Sequence, residues 1–149
     1  MLTVIKSPFL DTKLTMLREK KTSNSLFRQV MNETSYLIAA EVLKKIPIKK
    51  TTIITPLKKT AGKKLNKKIV LVPILRAGLG LVEGFTKLLP EAERGHIGLY
   101  RDEQTYKPVE YLCKLPSTTN KFFIILDPML ATGNSSNAAI KLLLKSGVK

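Results

Sequence analysis

Two apolar runs constrain the fold most strongly. Each is followed at once by a tight loop of small residues and then by a helical pattern. The runs cover residues 69–75 and 122–126. Continuous apolar runs of this length are typical of strands that are buried on both faces of a parallel sheet. Strands that alternate with helices in this way predict an α/β fold, with a mostly parallel sheet flanked by helices.

The second run ends at Asp127 and is followed by a turn of small and hydroxylated residues. Such a turn directs several backbone N–H groups and the positive end of a helix dipole at one point, so it predicts an anion site. Thr132, Ser135 and Ser136 add hydroxyl donors, and Gly133 permits a close backbone approach. Asp127 can accept hydrogen bonds from sugar hydroxyls beside a bound phosphate. The alternative is an ordinary connection in which Ser135 or Ser136 only caps the helix.

The first run ends just before Arg76, which stands beside Gly78 and Gly80. An arginine in such a loop can bind an anion through two parallel hydrogen bonds. Pairing of Arg76 with a local acid such as Glu83 is an equally open interpretation. The Gly-x-Gly element is not a dinucleotide fingerprint, because the third glycine and the following acid are absent at the required spacing.

An antiparallel arm is predicted between the two units, with strands at 96–100 and 109–113. Arg101 lies where this arm leaves its first strand and could fold over a ligand. The alternative is a surface arginine opposite Asp102 or Glu103.

The single histidine, His96, and the single cysteine, Cys113, are predicted to be packing residues. Each lies in a strand-like segment, and neither has an activating partner nearby in the sequence. One cysteine excludes an internal disulfide and a cysteine zinc cluster, and no protein metal site is predicted.

The N-terminal part is predicted to contain a short helix with Leu14 and Leu17 facing inward, then a longer helix that starts after caps at 22–25 and runs to about Lys45. A β-prone segment at 51–57 follows. Residues 58–68 are interpreted as a solvated, basic connector at a hairpin tip. The apolar stripe expected on the longer helix consists of Leu26, Val30, Leu37, Ile38 and Val42.

The chain has 149 residues and a formal net charge of +15, which suits one domain, 1–149, and favours polyanionic ligands. Of its 26 basic residues five are Arg, which leaves 26 − 5 = 21 Lys. Lysines scattered over the chain indicate a solvated surface, so no specific nucleic acid is expected. No apolar run reaches membrane-spanning length and no secretion signal is visible, so a cytoplasmic location without membrane contact is expected.

Residues 127–133, Asp-Pro-Met-Leu-Ala-Thr-Gly, resemble the loop that binds phosphoribosyl pyrophosphate (PRPP) in the type I phosphoribosyltransferases. The sequence of this loop is most similar to that of the uracil phosphoribosyltransferase family. Segments 13–18, 72–80 and 95–101 also resemble that family, in the same order. The resemblance extends from about Pro8 to Lys149.

The resemblance implies a glycosyltransferase of pyrimidine salvage that converts uracil and PRPP to UMP and pyrophosphate. It implies catalytic roles for Arg76 and Arg101, on the pyrophosphate, and for Asp127, on the ribose hydroxyls. Mg²⁺ is expected to arrive with PRPP, a homo-oligomer is expected, and GTP is considered as an allosteric activator because some members respond to it. The PRPP-binding positions implied are Arg76, Arg101, Asp127, Pro128, Met129, Leu130, Ala131, Thr132, Gly133, Asn134 and Ser135.

Two departures from the family pattern qualify these expectations. Asn134 stands where the family usually has glycine, and asparagine is expected to tolerate a positive φ there. Family members also continue with further strands and a uracil-binding segment, so a C-terminally incomplete fold is expected, with the 122–126 strand lacking one neighbour and the uracil-binding residues unknown. The alternative functions are an inactive fragment and a regulatory or RNA-binding protein on the same scaffold.

Overall fold

The computed structural model of the protein describes residues 2–105 and 107–148. Within these two ranges, no helix has the length and apolar character needed to cross a membrane. The elements are, in chain order, α1 (Pro8–Arg18), α2 (Asn24–Leu43), β1 (Ile48–Ile54), β2 (Lys59–Leu65), β3 (Lys68–Leu75), α3 (Leu79–Leu88), β4 (Glu93–Arg94), β5 (His96–Arg101), β6 (Pro108–Lys114), β7 (Lys121–Leu126) and α4 (Asn134–Lys145).

Strand β3 is the centre of the main sheet. It pairs in parallel with β7 along one side, and in parallel with the short β4 and then β5 along the other. Strand β6 continues the sheet antiparallel to β5. The predicted α/β fold, with a mostly parallel sheet and an antiparallel arm, is therefore confirmed.

The two faces of β3 belong to two different hydrophobic cores. Ile69 and Leu71 pack with residues of α2 and α3 in one core, whereas Val70, Val72 and Ile74 pack with residues of α4 in the other. Successive residues of a strand point to opposite faces, so a continuous apolar run is the pattern that a strand covered on both sides requires.

The close contact between α2 and α3 depends on small residues. The backbone N–H of Gly84 donates a hydrogen bond to Ser35 Oγ at 3.0 Å, and a Cβ atom at position 84 would overlap that oxygen. The predicted apolar stripe of α2 is therefore only partly correct, since Leu26 is exposed and small side chains replace large ones at the contact. The buried positions of α2 are Val30, Thr34, Ser35 and Ala39.

Helix α1 lies on the outside of the fold and has no buried residue. The prediction that Leu14 faces inward is wrong, because its side chain is exposed. Lys13 connects α1 to α2 through an ion pair with Glu33 at 2.5 Å. The hydrogen bond from Lys13, followed by that from Gln29, holds the pKa of Glu33 below its ordinary value.

Strands β1 and β2 form a separate two-stranded hairpin, which we call the β1–β2 arm (Ile48–Leu65). The interpretation of 58–68 as a connector is corrected, because β2 occupies most of it and the turn lies at Thr55–Lys58. A run rich in lysine has low strand propensity, but here the pairing with β1 decides the structure.

Strand β7 is hydrogen-bonded to β3 alone among the described strands, as expected from the sequence. An apolar groove of about 450 Å³ lies beside β7 and α4. Its wall includes Phe123, Ile125, Ile140 and Leu144. Ile140 and Leu144 leave apolar surface open to solvent at this edge.

Substitution Gly84→Ala is expected to lower the free energy of unfolding by about 1–3 kcal/mol, because the new methyl group forces α2 and α3 apart. Urea denaturation measures the change. Gly80→Ala on the same helix is the matched control, since its Cβ meets only the Cγ atom of Met31, at 3.0 Å, and alanine favours the helix. Equal loss of stability in both variants would contradict the close-contact explanation.

Candidate functional site

The two predicted ligand loops lie side by side at the carboxyl edge of the sheet. Strands β3 and β7 are parallel, and Pro73 is the partner of Leu126 where their pairing ends. A Cβ atom on Gly78 would overlap the carbonyl oxygen of Leu126 and lie 2.6 Å from Ile74 N. The loop that carries Arg76 therefore packs directly onto the end of β7, one residue before Asp127.

Asp127 is held by its own loop and by the helix that follows. Its Oδ1 accepts a hydrogen bond from the N–H of Met129 at 3.4 Å, and its Oδ2 accepts one from Ser136 Oγ at 3.2 Å. The carboxylate is half-buried at the strand end. These bonds fix the side chain while leaving acceptor capacity on both oxygens.

The start of α4 has no side-chain cap. Its N-cap residue is Gly133, at φ +74°, so neither Ser135 nor Ser136 is the cap that the alternative interpretation required. Among the described residues, no acceptor is bonded to the N–H groups of 134–136. Three free donors at the positive end of a twelve-residue helix, without an acid in its first turn, have the geometry and charge to bind an anion.

The loop before α4 adopts a left-handed backbone at two positions, Ala131 with φ +44° and Gly133. Asn134 is the first helical residue and has no positive φ, so the expected reason for asparagine there is wrong. The predicted PRPP positions share one surface-facing turn. Pro128, Gly133 and Ser135 are half-buried, and Met129, Leu130, Ala131, Thr132 and Asn134 are exposed.

Arg76 is exposed at the first residue of its loop. It forms no ion pair with a carboxylate in the part of the chain that the structure describes. Glu83, the suggested partner, instead accepts a hydrogen bond from Asn32 Nδ2 at 2.7 Å and lies 3.9 Å from Lys87. The guanidinium group is thus available to an anionic ligand.

Arg101 is the last residue of β5, where it is paired with Pro108. Gly98 of β5 is the partner of Leu75, the residue before Arg76. Arg101 follows Gly98 by three residues, which at the usual strand rise places it roughly 10 Å farther along β5. The structure therefore brings Arg76 and Asp127 to one edge, whereas Arg101 lies farther out on the arm.

Asp102 stabilises the turn between β5 and β6. Its Oδ1 accepts hydrogen bonds from the N–H of Thr105 at 2.7 Å and of Gln104 at 3.2 Å. The bonds from Thr105, first the backbone one and then that of its hydroxyl, hold the pKa of Asp102 below its ordinary value. Asp102 is therefore occupied, and Arg101 has no ion pair with it or with any other described acid.

His96 and Cys113 are half-buried in the antiparallel pair β5 and β6, as the packing interpretation predicted. In the described ranges, no three His, Cys, Asp or Glu residues are grouped closely enough to hold a metal ion. Sequence reasoning missed the spacing role of Gly78 and the specific bond from Ser136 to Asp127. The only sequence signals for these two features were the presence of a glycine at 78 and of a serine at 136 in the predicted loops.

A carboxylate at a strand end, a free helix N-terminus and an unpaired arginine on the neighbouring loop form an arrangement suited to a phosphorylated sugar, as in proteins of the phosphoribosyltransferase type. The family profile described as Uracil phosphoribosyltransferase matches residues 4–149. The chain therefore belongs to the uracil phosphoribosyltransferase family.

Named relatives agree with this assignment. The chain is 50% identical over 149 residues to a uracil phosphoribosyltransferase of Finegoldia magna, a match that covers 99% of this chain and 71% of the relative. It is 49% identical over 144 residues to that of Clostridioides difficile, with 95% and 69% covered. The solved structure of the AQ2163 protein from Aquifex aeolicus is similar, with a TM-score of 0.90, 34% identity, and 99% and 72% covered.

Substitution Gly78→Ala is expected to separate the two loops, because the methyl group overlaps the carbonyl oxygen of Leu126. The free energy of unfolding should fall by about 1–3 kcal/mol, and the amide NMR signals of residues 127–136 should shift. Ala77→Gly in the same loop controls for loss of loop rigidity. Unchanged signals at 127–136 in the Gly78 variant would show that the loops are independent.

Proposed function

We propose that the protein transfers the phosphoribosyl group of PRPP to uracil and forms UMP and pyrophosphate in pyrimidine salvage. One observation carries the proposal: the Asp127 carboxylate and the free N-terminus of α4 lie at the same strand end, beside the loop of Arg76. The names of relatives about 50% identical to the chain support the choice of uracil.

The phosphate and the sugar are assigned to neighbouring parts of one loop. The 5-phosphate binds at the start of α4, where the N–H groups of 134–136 and the hydroxyl groups of Thr132 and Ser135 donate hydrogen bonds. The ribose hydroxyls donate to Asp127, whose orientation is fixed by Ser136. The distance between the two subsites is set by the turn 128–133, which is closed by a hydrogen bond from Gly133 N–H to Leu130 O at 2.7 Å.

In the transfer, the bond from the anomeric carbon to the pyrophosphate oxygen breaks and a bond from that carbon to a uracil nitrogen forms. The proton on that nitrogen passes to solvent water, and pyrophosphate leaves with the bonding electron pair. Negative charge grows on the leaving group, where Arg76 stabilises it. The family resemblance assigns Arg101 to the same group. Positive charge grows on the ribose, where the carboxylate of Asp127 stabilises it.

The residues of this site suit a Mg²⁺ ion that binds together with the phosphates of PRPP. The described residues offer Asp127 as a single carboxylate at the strand end and no cluster of acids, and Mg²⁺ commonly binds through few carboxylates and the phosphates of its substrate. When bound, Mg²⁺ supplies neutralising charge to the pyrophosphate oxygens.

Further parts of the proposal rest on family resemblance. They are a homo-oligomeric assembly, activation by GTP in the manner of some members, and action in the cytoplasm. The uracil-binding residues are not assigned, and the chain spans about seven tenths of the length of the relatives it matches.

Substitution Asp127→Asn is expected to weaken Mg²⁺-PRPP binding about tenfold or more, because charge-assisted hydrogen bonds to the ribose are lost. Isothermal titration calorimetry measures the affinity. Asp11→Asn removes the same charge in the outer helix α1, where the carboxylate is exposed, and should leave PRPP affinity within about twofold of the original. Unchanged affinity in Asp127→Asn would refute the role of this carboxylate.

Incubation of the purified protein with uracil, PRPP and Mg²⁺ is expected to yield UMP, detected by chromatography of radiolabelled uracil. Arg76→Met should lower kcat/KM more than it lowers PRPP affinity, since charge on the leaving group grows toward the transition state. Folded protein that binds PRPP and forms no UMP would contradict the transfer reaction and leave PRPP binding intact.

A further inference from the structure

Two serines follow one another in the first turn of α4, and they have different surroundings. Ser136 Oγ donates a hydrogen bond to Asp127 Oδ2 at 3.2 Å. Ser135 is also half-buried, but its hydroxyl has no such bond to another side chain in the described ranges. The two serines are therefore not interchangeable, although they are the same residue type.

The helix face on which Ser136 lies explains its contact. Residues three and seven positions apart share a face of a helix, so Ser136 lies in line with Ala139 and Leu143. Both of these are buried in the core between α4 and β3. The buried face of α4 thus begins with a hydroxyl group, at the sheet edge where Asp127 follows β7. A half-buried hydroxyl without a partner is unfavourable, and Asp127 supplies that partner.

Ser136 belongs to both of the proposed subsites. Its backbone N–H is the third free donor at the start of α4, because the first N–H bonded within the helix is that of Asn137, to Gly133 O at 2.8 Å. One residue thus presents its N–H to the phosphate and its hydroxyl to the acid that binds the ribose. A single torsion of the side chain, χ1, separates the two groups. Fixing the backbone of Ser136 therefore restricts the position of its Oγ.

A bound phosphate would order the first turn of α4. Helix ends fray, since their N–H groups have no partner within the helix. A phosphate that accepts hydrogen bonds from 134–136 removes this freedom and places the Ser136 hydroxyl against Asp127, which fixes the carboxylate for the ribose. Coupling between two sites is reciprocal, so the ribose contact strengthens phosphate binding by the same factor.

We propose that Ser136 is a positioning residue that couples the 5-phosphate and ribose subsites. The coupling rests on the proposed function, since it presupposes a phosphate at the start of α4 and a sugar at Asp127. It gives the chain a preference for phosphorylated ribose over other phosphate anions. The preference depends on one hydroxyl group that touches neither the phosphate nor the sugar, whereas the hydroxyl of Ser135 acts on the phosphate alone.

The test compares inorganic phosphate with ribose 5-phosphate, because the second ligand adds only the sugar. Titration of the amide NMR signals of α4 gives both affinities, and ribose 5-phosphate should bind more tightly. Ser136→Ala should reduce the ratio of the two affinities about fivefold, since one charge-assisted hydrogen bond is lost. Its affinity for inorganic phosphate should stay within about twofold, because the three N–H groups remain.

Two further serine variants serve as comparisons. Ser135→Ala should weaken both ligands alike and leave the ratio unchanged. Ser146→Ala makes the same substitution at the other end of α4, where the hydroxyl donates to Leu142 O at 2.8 Å, and should leave both affinities unchanged. Equal weakening of both ligands in Ser136→Ala would overturn the coupling and reduce this serine to a structural role in the helix.

Asp127→Ala separates positioning from direct contact. It should abolish the advantage of ribose 5-phosphate, and Ser136→Ala added to it should change the ratio no further. An equal drop on adding Ser136→Ala to either background would show that Ser136 acts on the ligand directly, which overturns the coupling. A ratio that falls in Asp127→Ala and not in Ser136→Ala would refute the coupling alone. An unmodified protein that binds neither ligand would refute the proposed function as well.

Discussion

Burial of β3 on both faces is the constraint on which the rest of the structure depends. Each fully buried aliphatic side chain contributes about 1.5–3 kcal/mol relative to an exposed one, and most side chains of β3 are fully buried. This requires helices on both sides of the sheet, so α2 and α3 cover one face and α4 covers the other. The crossover through α3 places β4 and β5 parallel to β3 on one side, and the antiparallel return of β6 lets β7 run parallel to β3 on the other.

The same arrangement separates two kinds of surface at the two edges of the sheet. At the carboxyl edge, strand ends are followed by loops and helix starts, whose free N–H groups favour phosphate. At the amino edge, the strands begin with lysines, and the β1–β2 arm adds more. Five of the 21 lysines line one cleft at this edge, and the pairing register, not the sequence spacing, decides which of them lie opposite each other.

Several features of the fold and the site were predictable because they depend on neighbours in the chain. The strand–loop–helix units, the cap at Ser23 and the position of Asp127 at a strand end all follow from local patterns. Expectations failed where a distant contact decided the outcome. Leu14 is exposed because α1 lies on the outside of the fold, and residues 59–65 form a strand because β1 supplies their partners.

The sequence by itself determined the class of fold, the turn at 127–136 between strand and helix, and the acid that begins it, since runs of apolar, small and hydroxylated residues encode these locally. Tertiary structure alone decided which loops meet. Gly78 brings the Arg76 loop against the end of β7, while Arg101 stays out on the arm. The physical reason is that close approach of two backbones depends on the space between residues far apart in the chain, and that space exists only after the sheet and its helices have packed.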